Sequence, residues 1–133
     1  PGTQFSYSGA DTQLLSFIIT AATGKTLTQY ASEKLWTPLG ATNTAFWSVD
    51  SPQKGKEKAY CCLSATARDF ARLGQLLLDS GKIEGKSIIP DWYLQEAMKP
   101  IMLKDSDETE KEKVDYYGYQ FWLMHRDKAS PIV

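Results

Sequence analysis

The sequence is poor in the residues that most metal and redox sites use. Its 133 residues include one histidine, His125, and two cysteines, Cys61 and Cys62. These adjacent cysteines lack the spacing of a zinc site, and a disulfide needs side chains that face each other. We therefore expect two small packed thiols rather than a zinc site. No serine or cysteine is placed so that a catalytic triad with the lone histidine can be recognised in the sequence. We therefore expect a structural or exposed role for this histidine.

Charge and hydropathy exclude further classes of function. The formal net charge is −1, so no basic excess points to nucleic acid or to a membrane surface. No apolar run approaches the roughly 20 residues that span a bilayer. The first residue is Pro1 rather than Met, and we expect the sequence to be a piece of a longer protein.

Helical patterns dominate what is present. They predict helices between Gly9 and Gly24, over about 26–35, after Thr66 up to Gly81, and over about 91–98. Thr66 and Asp69 have the spacing of a capping box. The stripe expected to be buried on the third helix is Ala67, Phe70, Ala71, Leu73, Leu76 and Leu77. A hairpin-like loop is expected before Pro90, and a strand near 116–124 in VDYYGYQFWLM.

Two short motifs are set aside on chemical grounds. Ser51 and Lys54 match the bare pattern S-x-x-K, but that chemistry needs both side chains on one helix face, and the surrounding residues predict a loop. The tripeptide GKT at 24–26 follows a predicted helix rather than a strand and lacks the earlier glycine of a phosphate-binding loop. Tyr7, in FSYSGAD, remains: a tyrosine can act as a general base where cations hold it as phenolate.

Several segments in order resemble the serine β-lactamase-related hydrolases, a group that includes class C β-lactamases, penicillin-binding DD-peptidases, family VIII esterases and 6-aminohexanoate-dimer hydrolases. The similarity covers nearly the whole chain. It lies in PGTQFSYSGAD, in the T-G that ends the first helix, in TPLG, in LSATARDFARLGQLLLDSG and in YGYQFWLM. These match, in turn, the family patterns P-G-x-x-F-x-Y-S-N, T-G, P-L-G-M, S-T-A-x-D-x-A-R-x-G-x-L-x-L and Y-G-Y-x-W-W.

The resemblance implies a role for Tyr7 and its neighbours. In such enzymes an S-x-x-K serine attacks an acyl carbon, and the lysine and the tyrosine of Y-S-N shuttle the proton. Tyr7 would be that catalytic tyrosine, with Ser8 and Gly9 at the substrate-binding positions. The family's Asn, which helps to hold the amide of a β-lactam or peptide, is replaced by Gly9, and this favours the esterase-like or amidase-like relatives.

The same resemblance implies a fold and a function. We expect a mostly α structure with a few short strands, a fragment of the α+β β-lactamase/transpeptidase-like fold, in a single partial domain over 1–133. The parent would cleave an ester, amide, β-lactam or peptide bond of a small-molecule substrate through an acyl-enzyme, in the periplasm or outside the cell. Because that chemistry uses side chains as nucleophile, acid and base, the resemblance implies no metal and no organic cofactor. The S-x-x-K serine and the K-T-G or H-x-G strand are not in this sequence, so we expect the chain alone to be inactive.

Two alternative hypotheses stay open at this stage. A non-catalytic binding or assembly module could keep the fold without the chemistry. An unrelated helical domain could match the motifs by chance. In addition, an apolar surface that includes Tyr119, Phe121 and Trp122 could meet the missing sheet or a second copy of the chain.

Overall fold

The structure is a computed structural model that describes residues 3–105 and 114–124. Pro1, Gly2, His125 and most of the charged run that ends at Lys113 lie outside the described residues. The chain divides into two compact units. The terminal unit comprises residues 3–7 and the described residues from 92 onward, and the helical unit comprises residues 8–91.

The described residues form four helices and a few short strands, which is consistent with the expected fold class. In chain order these elements are β1 (Gln4–Phe5), α1 (Gly9–Thr23), α2 (Leu27–Ala31), β2 (Phe46–Trp47), β3 (Leu63–Ser64), α3 (Ala67–Leu78), β4 (Lys82–Ile83), β5 (Lys86–Ser87), α4 (Asp91–Ala97) and β6 (Lys104–Asp105). Each strand pairs with one other: β1 with β6 in parallel, and β2 with β3 and β4 with β5 antiparallel.

Polar side chains begin the helices where the sequence predicts. The Thr26 hydroxyl accepts a hydrogen bond from the Gln29 amide, and the Gln29 side chain accepts one from the Thr26 amide, so this pair is a complete capping box. Thr66 accepts in the same way from the Asp69 amide at 3.2 Å. After α2 the helix widens into a π-helical turn, Ser32–Trp36, and the predicted helix over 26–35 is therefore two unlike turns in succession.

The buried face of α3 differs from the predicted apolar stripe. Leu76 is buried and Leu73 and Leu77 are half-buried, as predicted, but Ala67, Phe70 and Ala71 are exposed. Asp69, a polar residue one turn before Leu73, also faces inward and has no exposed surface. The stripe prediction was wrong at those three positions because it treated every apolar residue as inward and every charged residue as outward.

Asp69 tolerates this burial because its carboxylate is hydrogen-bonded on both oxygens. One oxygen accepts from the Thr42 amide at 3.1 Å, and the other accepts from the Asn43 side chain at 3.1 Å and the Thr66 hydroxyl at 2.8 Å. Arg72 lies 3.8 Å away as a counter-ion. The Thr66 hydrogen bond first, then those from Thr42 and Asn43, lower the pKa of Asp69 against the opposing effect of burial.

The predicted hairpin before Pro90 is present as β4 and β5. Its turn residues Glu84 and Gly85 both have positive φ, 48° and 79°, which fits the tight turn of a two-residue hairpin. Gly81, with φ 77°, lets the chain leave α3, and its carbonyl accepts from the amides of Ile88 and Ile89 at 2.8 and 3.0 Å. These bonds join the end of α3 to the residues that follow the hairpin.

In the terminal unit a small core forms around Phe5, Val114 and Tyr117. The strand predicted near 116–124 is shorter than expected: the described residues there make one antiparallel bridge, between Tyr117 and Trp122. Gln120 has a φ of 61°, and a positive φ interrupts the extended backbone that a strand requires. The segment therefore turns back on itself.

The prediction of two free thiols was wrong. Cys61 and Cys62 form a disulfide between neighbouring residues, and Cys62 takes a positive φ of 74°. Sequence spacing argued against this bond because ordinary disulfides join chain segments that face each other.

Candidate active site

Tyr7 is presented by an aromatic cluster of the terminal unit, which we define as Tyr7, Tyr117 and Trp122. The Tyr7 ring meets the edge of Tyr117 at a centroid distance of 5.8 Å and lies 5.2 Å from Trp122. Tyr117 and Trp122 are themselves 5.1 Å apart. Tyr117 is buried, whereas 57% of Tyr7 is exposed. The cluster thus holds one side of the Tyr7 ring and leaves the residue open to a reacting partner.

The two tyrosines of this cluster differ in their exposure to solvent. Burial, together with the nearby Tyr7, raises the pKa of Tyr117 above its ordinary value. Tyr117 therefore stays a neutral phenol and cannot serve as a base near neutral pH. Of these two phenols, only Tyr7 has the accessibility that proton transfer to or from a substrate requires.

Ser8 starts helix α1. Its backbone is extended, with φ −141° and ψ 121°, and its hydroxyl oxygen accepts from the Ala10 amide at 3.3 Å. This is the geometry of an N-cap, so Ser8 is the residue that caps α1. A serine hydroxyl that accepts in a cap still carries one donor hydrogen, which a substrate-binding role can use.

Gly9, the first residue of α1, lies against the ring of Tyr60. A Cβ placed on Gly9 would be 3.3 Å from the Tyr60 Cβ and 3.5 Å from its Cγ. The first of these distances is tighter than an ordinary van der Waals contact, and the second is within the ordinary range. Gly9 has no side chain, and the space next to it is therefore occupied by Tyr60, a large residue from a loop far along the sequence.

An open trough of about 660 Å³ begins at this contact. Its walls are mainly apolar and are formed by Leu14 and Phe17 of α1, by Tyr60, and by the first turn of the helix, where Asp11 adds a carboxylate. Leu14, Phe17 and Tyr60 each have about half of their surface exposed, at 56%, 48% and 51%. Such a surface can hold an apolar group of a ligand against one wall.

The loop that carries Tyr60 is fastened at two points. The Gln13 side chain donates to the Glu57 carbonyl at 3.1 Å and accepts from the Ala59 amide at 3.0 Å. The Trp47 indole donates to the carbonyls of Lys58 and Cys61 at 3.0 and 2.9 Å. Tyr60 is therefore presented by a backbone whose neighbouring polar groups are satisfied by specific side chains.

Neither a metal site nor a membrane span is found in the described part of the chain. Across residues 3–105 and 114–124, no three or more His, Cys, Asp or Glu side chains are grouped so as to hold a metal ion. The helices within those same residues are too short and too polar to cross a bilayer.

Comparison with known proteins decides the family. The β-lactamase family pattern matches residues 1–131. The chain belongs to the β-lactamase family. A 6-aminohexanoate-dimer hydrolase of Paenarthrobacter ureafaciens is 33% identical over 130 residues, which is 96% of this chain and 33% of that protein. This member of the β-lactamase family thus spans about a third of the length of that relative.

Other relatives agree with this assignment. A provisionally named D-alanyl-D-alanine carboxypeptidase of Escherichia coli strain K12 is 36% identical over 69 residues, covering 52% of this chain and 16% of that protein. A solved structure provisionally named 6-aminohexanoate-dimer hydrolase, from Bacillus anthracis, is 39% identical with a TM-score of 0.68 over 74% of this chain and 25% of that one. A provisionally named β-lactamase from Bacteroides dorei, at 20% identity, shows the same fold with a TM-score of 0.72 over 89% of this chain and 38% of that one.

The structure adds residues that the sequence did not single out for this site. Tyr60 and Gln13 meet at the start of α1, although nothing in their local sequence distinguishes them from a surface aromatic and a surface amide. Trp122 was expected on an apolar surface that meets either the missing sheet or a second copy of the chain; it packs on Tyr7, and 57% of it stays exposed. Only a signal that pairs distant positions could have revealed these contacts.

Proposed function

We propose that this chain is part of a serine hydrolase that cleaves an ester or amide bond through an acyl-enzyme, with Tyr7 as the proton-transferring residue. The observation that carries the proposal is the open face of Tyr7, two residues before the start of a helix, in a chain of the β-lactamase family. The hydrolases named among its relatives support the reaction class.

The proposed chemistry divides the work between this chain and the rest of the parent protein. A serine and a lysine of an S-x-x-K motif, outside this sequence, supply the nucleophile and the cation. That cation stabilises the Tyr7 phenolate, and Tyr7 then takes the proton from the serine hydroxyl as the serine attacks the acyl carbon. The C–O or C–N bond of the substrate breaks, Tyr7 returns the proton to the leaving alcohol or amine, and water then hydrolyses the acyl-serine to free the acid and the enzyme. Ser8 and Gly9 line the binding position beside it. The isolated chain is inactive on this proposal because it lacks the nucleophile.

One further observation supports a proposal about the cellular compartment of the parent protein. Disulfides persist in the periplasm and outside the cell and are rare in a reducing cytosol. The Cys61–Cys62 bond therefore supports a periplasmic or secreted parent. The proposed substrate is a small molecule with an ester, amide or peptide-like bond, and no organic cofactor takes part in the proposed steps.

The test is covalent labelling of the full-length protein that contains this chain. A fluorophosphonate probe should label an S-x-x-K serine outside residues 1–133, and labelling should fall by about a hundredfold or more in Tyr7→Phe, since general base catalysis contributes about 10²–10⁴. Tyr93→Phe removes a phenol hydroxyl elsewhere in the terminal unit and should label like the wild type. The absence of labelling in folded wild-type protein would favour a binding or assembly module instead.

A further inference from the structure

The disulfide between Cys61 and Cys62 closes a small ring in the backbone of the helical unit. Because the two residues are neighbours, this ring contains the peptide bond that joins them. Cys62 has a φ of 74°, in the left-handed region that residues with a Cβ seldom occupy. While the disulfide is intact, the ring limits rotation of the backbone at both cysteines. The bond therefore holds Cys62 in a backbone conformation that a free cysteine disfavours.

The backbone of this pair makes two hydrogen bonds to the end of strand β2 and the residue after it. The Cys61 carbonyl accepts from the Trp47 indole at 2.9 Å, and the Cys62 carbonyl accepts from the Ser48 amide at 3.1 Å. The φ of Cys62 sets the angle between the two planar peptide groups that carry these carbonyls. A return of Cys62 to negative φ would therefore turn at least one carbonyl away from its donor.

The turn that precedes the disulfide depends on the same backbone. We name residues 57–62 the cysteine loop. The Cys61 amide donates to the Lys58 carbonyl at 3.0 Å and closes the turn that carries Tyr60. Tyr60 lies against Gly9 at the start of α1. A change in the backbone at the disulfide therefore alters the turn on which Tyr60 is carried.

We propose that the Cys61–Cys62 bond is a redox-active site, and that its reduction by a dithiol releases the cysteine loop from Trp47 and Ser48. The exposure of the pair supports this proposal. Cys62 is exposed and Cys61 is half-buried, and exposed disulfides are the ones that thiols reduce most readily. The proposal does not depend on the proposed hydrolase function.

The reduction proceeds in two thiol–disulfide exchange steps. One thiolate of the dithiol attacks the Cys62 sulfur, the bond between the cysteines breaks, and Cys61 leaves as a thiolate that takes a proton from water. The second thiol of the reductant, as a thiolate, then attacks the reductant's own sulfur in the mixed disulfide, and Cys62 leaves and is protonated in the same way. The protein gains two electrons and two protons, and the dithiol loses the same and becomes a disulfide.

The test treats the folded full-length protein that contains this chain with dithiothreitol. Iodoacetamide should then alkylate both cysteines without denaturant, as read by mass spectrometry of their peptide. Hydrogen exchange in the cysteine loop should become about 5–30-fold faster, the factor that corresponds to the cost of one residue in the left-handed region. Peptides from α3 should exchange at an unchanged rate, which shows that the unit stays folded. Diamide, a thiol oxidant, should restore slow exchange in the loop.

Two double variants test whether the bond acts through the backbone of Cys62. Cys61→Ser/Cys62→Ser removes the bond, and its cysteine loop should exchange as fast as in the reduced wild type. Cys61→Ser/Cys62→Gly also lacks the bond, but glycine takes positive φ at little cost, so its loop should exchange more slowly than in the serine variant. Neither variant should respond to dithiothreitol.

Four results would overturn the proposal. Both cysteines could resist alkylation in the folded, dithiothreitol-treated protein, or the loop could exchange equally in the oxidised and reduced wild type. The Cys61→Ser/Cys62→Ser loop could respond to dithiothreitol, which would assign the effect to another bond of the parent. Equal exchange in the two double variants would refute the role of the Cys62 φ. Since hydrolysis is not measured, each result stands whether or not the parent is a serine hydrolase.

Discussion

Three glycines of the helical unit, Gly74, Gly81 and Gly85, can be compared directly. Gly81 should tolerate substitution least. Gly81 and Gly85 both have φ near 80°, where alanine costs about 1–2 kcal/mol. A Cβ on Gly85 meets nothing within 4 Å, whereas a Cβ on Gly81 would lie 2.2 Å from the Ile89 carbonyl oxygen. That distance forces the backbone apart.

The added cost at Gly81 follows from its hydrogen bonds. Its carbonyl accepts from Ile88 and Ile89, and losing both bonds costs about 1–3 kcal/mol. Together with the backbone term, Gly81→Ala should destabilise the protein by about 2–5 kcal/mol, against about 1–2 kcal/mol for Gly85→Ala. Gly74, inside α3 with free space around it, should instead stabilise the protein by about 0.5–1 kcal/mol when changed to alanine.

The assay is urea unfolding followed by far-UV circular dichroism, with all three variants measured beside the wild type. The order Gly74→Ala, wild type, Gly85→Ala, Gly81→Ala in decreasing free energy of unfolding is expected. If Gly81→Ala and Gly85→Ala agreed within about 0.5 kcal/mol, the steric argument at Ile89 would be refuted, because the close contact and the two hydrogen bonds that it would break distinguish Gly81 from Gly85.

Three further outcomes are expected. Leu76→Ala should lower the free energy of unfolding by about 2–5 kcal/mol in urea titration, since Leu76 is buried at the centre of the α3 face; a loss below about 1 kcal/mol would contradict its assigned burial. The lowered pKa of Asp69 means that its contribution is present above the unfolded pKa near 3.9 and is lost as pH falls through the folded pKa. The stability gap between wild type and Asp69→Asn should therefore close on acidification, and a gap that widened would reverse the sign of this argument. Finally, thiol titration of the denatured, unreduced protein should find no free thiol, and two after reduction; two before reduction would mean that Cys61 and Cys62 are not bonded.

Local chemistry made the helix starts predictable from sequence. Thr26 and Thr66 bind amides three residues ahead of them, so each cap is complete within its own turn and needs no distant partner. The hairpin before Pro90 was predictable for the same reason, because Glu84 and Gly85 take their turn conformation locally. The order of short motifs along the chain also indicated the β-lactamase family, which the match over residues 1–131 confirms.

The candidate site was predictable only in part. Sequence singled out Tyr7, Ser8 and Gly9 as consecutive residues of one motif, and their catalytic and binding roles stay predictions until labelling is done. It could not place Trp122 on Tyr7 or Tyr60 on Gly9, since each contact joins residues with many others between them.

The sequence by itself determined where helices begin and which family the chain resembles, because both depend on residues within a few positions of each other. Tertiary structure alone decided that Asp69 is buried, that Cys61 and Cys62 are bonded and that Tyr60 fills the space beside Gly9. The burial of Asp69 and the packing of Tyr60 beside Gly9 have the same physical reason. The Asp69 carboxylate can be buried because partners from another segment, Thr42 and Asn43, add to the Thr66 hydrogen bond, and the space beside Gly9 is filled only because another segment packs against it.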